Sequence, residues 1–271
     1  MNRGAAVVGT WIVLAPLAGL AQEQAVLEEV TVTAQKREQN LQEVGVAVNA
    51  FEAEVIRELK IETTADVARF TPNMTTRNTM GDTMPIITIR GVGSATNDIL
   101  FANSPPSVAV HLDEVYLGSP SLLMAANFDL ERIEVLKGPQ GTLYGRNTTA
   151  GTVNFVSAKP RNSFGADVTV GYGRYDTEGD WFEANGYVTD ALTSTLSGRL
   201  AFTYKKGDQF VTDFAGEPYD GPDRLAARGL LSWQPTDALE VLLNVHASRD
   251  RPASYAPQVA AVIGAVRAQS I

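Results

Sequence analysis

The sequence predicts an α+β domain followed by an antiparallel sheet of longer strands, in a chain of 271 residues. Short apolar runs alternate with short helical patterns from about residue 44 to 158, which favours a compact domain with a small sheet. After Pro160 the hydropathy alternates with a period of two over segments longer than an ordinary strand. Beyond the N-terminal segment, no stretch is apolar over the length that a membrane helix needs.

The first residues are typical of a secretory signal. Arg3 precedes an apolar run, residues 4–20, that ends in small residues. Gly19 and Ala21 occupy the small positions that a signal peptidase prefers, so we place cleavage after Ala21 and assign residues 1–21 to the signal. The alternative is an N-terminal membrane anchor, but the run is short for a membrane span.

Composition excludes several classes of function. The formal net charge is -9, and no stretch concentrates Lys and Arg as a phosphate-binding surface would require, so we expect no nucleic-acid partner. Cysteine is absent, which excludes disulfides, thiolate metal sites, cysteine nucleophiles and a lipid-modified cysteine anchor.

Residues 22–40 combine a short strand pattern with a polar linker. Val30 and Val32 alternate with Thr31 and Thr33 before a charged stretch begins. A short strand next to a solvated linker can pair with the sheet edge of another protein through backbone hydrogen bonds. The same pattern also fits a frayed terminus.

Residues 41–160 form the predicted α+β domain. Hydrophobic periodicity, proline and glycine define its elements. They are a strand at 44–51, a helix at 52–59, a helix at 65–70 that ends before Pro72, and strands at 85–90, 108–118 (bent near Asp113) and 130–136.

Residues 161–271 carry the period-two pattern. Such strands suit either a sandwich with one wet face or a transmembrane barrel with apolar residues toward lipid. In the clearest strand, one parity holds Leu192, Leu196, Leu200, Phe202 and Tyr204, and the other holds Thr195, Ser197, Arg199, Thr203 and Lys205.

Connection lengths and aromatic residues favour the barrel. The turns at 189–191 and 234–237 are short, whereas the segment 205–224 reads as a long loop at the opposite end. This asymmetry is typical of outer-membrane barrels, which have short periplasmic turns and long external loops. Aromatic girdles are expected at both borders. Phe164 and Trp233 are assigned to the lower border, and Tyr172, Trp181 and Tyr204 to the upper one.

The glycine-rich segment from Asp129 to Pro160 does not match a nucleotide-binding loop. A phosphate loop needs lysine and a hydroxyl after its last glycine, but Gly145 is followed by Arg146 and Asn147. A dinucleotide loop needs three spaced glycines, and the "RGVG" stretch supplies two. Ordinary turn chemistry and close backbone approach remain as explanations.

The segment "LERIEVLKGPQGTLYGRNTTAGTVNFVSAKP" resembles the plug-domain signature of TonB-dependent outer-membrane receptors, and "EEVTVTAQ" resembles their energy-coupling box. "TIRGVGS" and "VAVHLDEVYLG" match plug segments in the expected order, so the resemblance extends from the signal to the C-terminus. It implies a plug domain at 41–160, then an antiparallel transmembrane β-barrel beginning at 161. About five strands of an expected 22 fit into residues 161–271, so we expect a truncated N-terminal part of a receptor.

The resemblance also implies a function and partners. It implies TonB-coupled uptake of a scarce nutrient across the Gram-negative outer membrane, by family frequency an iron-siderophore complex, with cobalamin or glycans as alternatives. The implied partners are the periplasmic domain of TonB, outer-membrane lipid and the extracellular ligand, with no cofactor, metal or catalytic residue.

Matching positions carry over two sets of site residues. The strand that docks onto TonB would be Glu29, Val30, Thr31, Val32 and Thr33. The contacts that seat the plug against the barrel wall would be Arg90, Gly91, Arg132, Glu134, Gly138, Gly141, Tyr144, Gly145 and Arg146.

Two other classes of protein fit less well. For a soluble exported enzyme, His111 and His246 are the only histidines, and neither has a triad or metal-ligand spacing around it. The methionines at 74, 80 and 84 match no defined metal site. A passive porin would lack the folded N-terminal domain and the coupling strand.

Overall fold

A computed structural model describes most of the chain after the signal-like segment. Of the predicted docking strand it describes Thr31 and Val32, whereas Glu29, Val30 and Thr33 lie outside the described residues, as does Met80. The described ranges are 31–32, 39–40, 44–79, 84–93, 105–118, 127–174, 179–212, 218–251, 258–263 and 267–270.

The N-terminal domain is built around a five-stranded sheet in the order β3-β8-β9-β6-β7. Neighbouring strands are antiparallel except β6 and β9, which are parallel. The strands are β3 (Ala47–Glu52), β6 (Val108–Leu112), β7 (Val115–Tyr116), β8 (Leu130–Lys137) and β9 (Gly151–Ser157). Outside this sheet lie α1 (Ala53–Glu58), α2 (Thr64–Phe70), α3 (Gly141–Tyr144), and the hairpins β1 (Thr31–Val32) with β2 (Gln39–Asn40) and β4 (Met74–Thr79) with β5 (Met84–Ile89).

The two faces of this sheet bury different kinds of side chain. Ile133 and Val135 of β8 face the main hydrophobic core, which also contains Val67 of α2 and Ile89 of β5. The intervening residues of β8 point to the other face, where Glu134 is fully buried. A charged residue on a buried face requires a partner, so this face is a place to look for function.

The predicted helix at 65–70 is confirmed as α2. Thr63 and Asp66 form a capping box, in which the Thr63 hydroxyl accepts from the Asp66 N–H at 3.2 Å and the Asp66 carboxylate accepts from the Thr63 N–H at 3.0 Å. The predicted single strand at 108–118 is instead the tight hairpin β6–β7. Asp113 and Glu114 form its turn with φ of 49° and 68°.

The second part is an antiparallel sheet of long strands, which we call the long-strand sheet. Its order is β10 to β15 in sequence, and β16 pairs with β14 beside β15. The strands are β10 (Gly165–Arg174), β11 (Asp180–Ala191), β12 (Leu196–Thr212), β13 (Pro218–Thr236), β14 (Leu239–Arg251), β15 (Gln258–Ile263) and β16 (Arg267–Ser270). The five long strands agree with the expected number, and β15 and β16 extend the sheet at one side.

The period-two prediction is confirmed by exposure. On β12 Leu200 is 57% exposed, whereas its neighbour Ala201 is fully buried beneath the N-terminal domain. We call the exposed side the outward face and the covered side the inner face. Large exposed apolar residues of the outward face are Val168, Val170, Tyr172, Phe182, Val188, Leu200, Phe202, Leu225, Leu231, Trp233 and Val245.

Two predictions about the long-strand sheet are wrong. Segment 205–224 is mostly strand rather than loop, because β12 continues to Thr212 and β13 starts at Pro218. Strand pairing there uses backbone hydrogen bonds and does not require alternating hydropathy. Trp181 does not join the outward aromatic residues, since it has the parity of the inner face and lies opposite Gly173.

The short connections lie where the sequence places them, to within a few residues. β11 and β12 are joined by residues 192–195, and β13 and β14 by residues 237–238, both at the same end of the sheet. We call this the short-turn end. Among the described residues, no helix combines the length and the hydropathy needed to cross a membrane.

Candidate functional site

Val32, in the described part of the predicted docking strand, is buried. Thr31 and Val32 form β1, which pairs antiparallel with β2. The Val32 side chain is fully buried in a cluster with Leu136 and Tyr144. A partner that needs this side chain must therefore withdraw it, which costs about 1.5–3 kcal/mol for a buried valine.

Tyr144 connects this cluster to the polar face of the N-terminal sheet. It lies on α3, is buried, and meets the ring of His111 edge-on with centroids 5.2 Å apart. Burial raises the pKa of Tyr144, and the charges of Glu134 and Glu114 raise it further, so the phenol stays protonated.

Arg132 and Glu134 pair with each other along β8. Arg132 Nε donates to Glu134 Oε1 at 2.7 Å, and the guanidinium also contacts Glu131. The contacts described for this pair lie within the N-terminal domain, so a role against the barrel wall stays a prediction.

The predicted wall-contact glycines make turns within the N-terminal domain. Gly145 ends α3 with φ of 77°, and a Cβ on it would meet nothing within 4 Å among the described atoms. The nearest atoms to a Cβ on Gly138 and on Gly141 belong to Arg90 and Thr148, at 3.8 and 3.9 Å. Close approach of these glycines to the wall therefore stays a prediction.

Sequence reasoning missed Gly151, where backbones do come close. It begins β9 with φ of 156°, and a Cβ there would collide with the carbonyl oxygen of Leu136.

Arg90 and Gly91 form a turn at the end of β5. Arg90 has φ of 53°, and its N–H donates to the carbonyl of Asn73 at 2.8 Å. Nearby, Lys137 Nζ donates to the carbonyl of Pro72 at 2.8 Å. Desolvation lowers the pKa of Lys137, and the Arg90 charge lowers it further. Arg146 is exposed on the loop after α3.

A buried ion pair between the domain and the inner face joins Asp129 to Arg199 of β12. Both side chains are nearly buried, at 8% and 5% exposure. Arg199 Nε donates to Asp129 Oδ2 at 2.8 Å, and Nη2 donates to Oδ1, which makes the pair bidentate. The guanidinium also lies 3.7 Å from the ring centroid of Tyr187 on β11.

The next two strands, β13 and β14, also contact the N-terminal domain. Arg228 of β13 is fully buried, donates through Nη1 to the Phe128 carbonyl at 3.0 Å and lies 4.5 Å from the Phe128 ring centroid. Asn244 of β14 donates to Asp113 Oδ2 at 2.7 Å. The same carboxylate accepts from the N–H and hydroxyl of Ser157, at 2.8 and 2.7 Å.

Three consecutive strands thus each supply one side chain to two turns of the domain, and we call this set the junction. Its members are Asp113, Phe128, Asp129, Arg199, Arg228 and Asn244. Sequence reasoning missed the junction, although cations at inner parity in otherwise apolar strands were a usable signal, because such residues face the protein interior and find partners there. Away from the junction, Lys205 of β12 lies 2.6 Å from Glu62 and 3.4 Å from Glu183.

Neither histidine lies in a catalytic arrangement among the described residues. His111 Nδ1 lies 2.9 Å from the Thr152 hydroxyl in the buried sheet, and His246 belongs to β14. No group of three or more His, Cys, Asp or Glu side chains in the described part of the chain could hold a metal ion.

Comparison with known proteins identifies the N-terminal domain. Residues 40–152 match the model of the family described as TonB-dependent Receptor Plug Domain. The chain is similar to the pesticin receptor of Yersinia pestis, with 31% identity over 46% of this chain and 18% of the relative. The vitamin B12 transporter BtuB of Vibrio vulnificus is 29% identical over 78% of this chain and 33% of its own length. The ferrioxamine B receptor of Salmonella typhimurium is 30% identical over 51% of this chain and 20% of its own length.

Solved structures share the fold across both parts. The ferric yersiniabactin uptake receptor FyuA from Yersinia pestis aligns with a TM-score of 0.65 at 20% identity, over 76% of this chain and 32% of that one. The ferripyoverdine receptor of Pseudomonas aeruginosa aligns with a TM-score of 0.64 at 18% identity, over 82% and 27%. The chain therefore spans about a third or less of the length of the proteins it matches.

Proposed function

This chain carries a TonB-dependent receptor plug domain in residues 40–152, joined to antiparallel strands that resemble part of a receptor barrel, and from this premise we propose that it serves energy-dependent nutrient uptake across the Gram-negative outer membrane. It performs no covalent chemistry in this proposal. It binds a ligand outside and lets a TonB-driven movement of the plug release the ligand inward.

The observation that carries the proposal is the contrast between the two faces of the long-strand sheet. The inner face holds a folded domain through a buried bidentate ion pair, while the outward face exposes a continuous set of large apolar side chains. Such a patch is unfavourable in water and is what a lipid-facing wall requires. A plug enclosed by a membrane wall accounts for both faces together.

An iron-siderophore complex is the proposed substrate. Several similar proteins support it, since they include a ferrioxamine B receptor, a ferric yersiniabactin uptake receptor and a ferripyoverdine receptor. Cobalamin is the second candidate, because the alignment with the vitamin B12 transporter extends over 78% of this chain.

Energy coupling would act through the strand from Glu29 to Thr33. We propose that this strand binds the periplasmic domain of TonB. It would add to the edge of a sheet in that domain through main-chain hydrogen bonds.

A pull-down with the periplasmic domain of TonB tests the coupling proposal. Proline lacks the N–H that strand pairing uses, so Val30→Pro and Val32→Pro are expected to abolish binding. Lys36→Pro, in the polar linker, is the matched control and should bind like the unmodified chain. Retention of binding by both valine variants would contradict the assignment.

Uptake by cells separates the two substrates. Cells in which the receptor containing this chain is deleted should lose growth on a ferric siderophore as sole iron source and keep cobalamin-dependent growth. The opposite pattern would assign cobalamin and reject the iron complex.

A further inference from the structure

His111 is a buried side chain that belongs neither to the junction nor to the proposed docking strand. On β6 it alternates with Val110 and Leu112, which face the main hydrophobic core, so it lies on the polar face of the N-terminal sheet. Its register partners are Asn154 on β9 and Tyr116 on β7. Only 2% of the residue is exposed, so its contacts lie inside the domain.

One hydrogen bond determines which nitrogen of His111 carries a proton. The Thr152 hydroxyl donates to the carbonyl of Ala109 at 3.1 Å. A hydroxyl has one proton to donate, so the same oxygen accepts from His111 Nδ1, which lies 2.9 Å away. Nδ1 is therefore protonated, and this bond fixes the orientation of the imidazole ring.

The ring of His111 contacts two tyrosines. Tyr144 of α3 meets it edge-on, with centroids 5.2 Å apart and an angle of 64° between the planes. Tyr116 of β7 lies 5.7 Å away at 56°, and its hydroxyl accepts from Asn147 Nδ2 at 2.9 Å. Because Asn147 follows α3 in the chain, both ring contacts of His111 support the same segment.

α3 needs such support because it is a single turn of four residues. A helix of this length is not stable by itself in water. Tyr144 is its buried residue, at 7% exposure. The position of α3 therefore depends on the side chains that Tyr144 contacts.

Tyr144 also belongs to the cluster that buries Val32 of the proposed docking strand, together with Leu136. β1 and β2 have two residues each, and a pair of such short strands is marginally stable by itself. The cluster therefore contributes most of what keeps Val32 on the N-terminal domain. A change in the position of Tyr144 would weaken it.

We propose that His111 is a positioning residue for the docking strand. Its ring holds Tyr144 where Val32 packs, and so withholds Val32 from TonB. Only molecules in which Val32 has withdrawn could bind TonB through this side chain, so the apparent affinity is lowered by the fraction of such molecules. The inference rests on the proposed function, which assigns residues 29–33 to TonB.

Two substitutions separate the ring of His111 from its hydrogen bond. Phenylalanine keeps a ring next to Tyr144 but cannot donate to Thr152, whereas asparagine keeps an N–H donor and has no ring. The full chain in phosphatidylcholine vesicles is titrated with the periplasmic domain of TonB. We expect His111→Asn to raise the affinity about threefold and Tyr144→Ala about tenfold, because more molecules have Val32 withdrawn. His111→Phe should bind like the unmodified chain.

Hydrogen exchange measures the same release without TonB. The amides of residues 31 and 32 should exchange about threefold faster in His111→Asn and at the unmodified rate in His111→Phe. Val153→Ala is the matched control, since it removes a buried side chain from the opposite face of the same sheet. It should lower the stability of the domain and leave both TonB affinity and the exchange of these two amides unchanged.

Three results would overturn the inference. They are unchanged affinity and exchange in His111→Asn, equal increases in His111→Asn and Val153→Ala, and an increase in His111→Phe as large as that in His111→Asn. If the unmodified chain binds TonB and one of these results is found, only this inference fails. If the unmodified chain does not bind TonB, the proposed coupling fails, and the exchange rates alone decide whether His111 positions Val32.

Discussion

At the scale of single residues, two aspartates of the N-terminal domain contribute carboxylates to the junction with the long-strand sheet. Asp113 and Asp129 have φ of 49° and 51°, a backbone region that is uncommon for residues other than glycine and several-fold enriched in Asp and Asn. Both carboxylates contact the long-strand sheet, through Asn244 and Arg199. Each turn therefore places a carboxylate next to a hydrogen-bond donor on the inner face of the long-strand sheet.

Removing the charge of Asp129 should be costly because Arg199 would remain buried without its carboxylate. We expect Asp129→Asn to lower the free energy of unfolding by about 3–5 kcal/mol. Asparagine tolerates the same positive φ, so the loss reports the ion pair rather than backbone strain. Urea unfolding of the chain in vesicles, followed by tryptophan fluorescence, measures it.

Two further variants make this prediction specific. The double variant Asp129→Asn with Arg199→Gln should cost less than the sum of the single changes, because no buried charge is then unpaired. Asp167→Asn, at an exposed position of β10, should change stability by less than about 0.5 kcal/mol. A loss no larger than that of Asp167→Asn would show that the pair is not a stabilising contact.

Three glycines of the N-terminal domain should respond to alanine in a graded order. Gly151→Ala should cost most, about 1–3 kcal/mol or more, since its methyl group meets the backbone of Leu136. Gly145→Ala should cost about 1–2 kcal/mol from its backbone conformation alone, since φ of 77° with ψ of -152° is a combination that essentially only glycine adopts. Gly45→Ala, with neither a clash nor a positive φ, should be neutral or slightly stabilising. Equal effects at the three positions in urea unfolding would contradict this order.

At the scale of elements, the sequence predicted those features that depend on the local pattern of residues. The helix at 65–70 and the faces of β12 follow from residue periodicity, and the structure agrees with both. Trp181 was assigned to the wrong face. An aromatic residue at a strand end indicates the border of the apolar band, but it does not indicate which face of the sheet the side chain lies on. The junction was not predicted because it joins residues 70 and 131 positions apart in the chain, for Asp129–Arg199 and Asp113–Asn244.

Adjacent residues of β10 test which face of an element meets lipid. Val170→Arg places a charge on the outward face and should lower stability in vesicles by about 2–4 kcal/mol if it lies near the bilayer midplane. Thr169→Arg, one residue earlier and on the inner face, should have little effect, because its side chain is exposed on the polar side. Equal tolerance of both changes would fit a water-soluble sandwich and contradict the membrane wall.

At the scale of the whole molecule, the junction joins the N-terminal domain to the long-strand sheet. Its wall residues lie on β12, β13 and β14, and its plug residues lie next to β7, β8 and the end of β9. The end of β9 also leads through Pro160 into β10, so the plug is attached to the wall by the chain and by the junction at the same region. β1, which belongs to the proposed docking strand, instead packs at Leu136, near the far end of β8.

This arrangement predicts that the plug and the sheet unfold together. The three tryptophans are Trp11, Trp181 and Trp233, so in protein prepared from Gln22 onward, tryptophan fluorescence reports on the long-strand sheet alone. Hydrogen exchange of the β9 amides reports on the plug. Because buried contacts on three strands link the two, both signals should change at the same urea concentration in the unmodified chain. In Asp129→Asn combined with Asn244→Ala, β9 should lose protection at lower urea than the sheet. Early loss of β9 protection in the unmodified chain would mean that the junction does not couple the two parts.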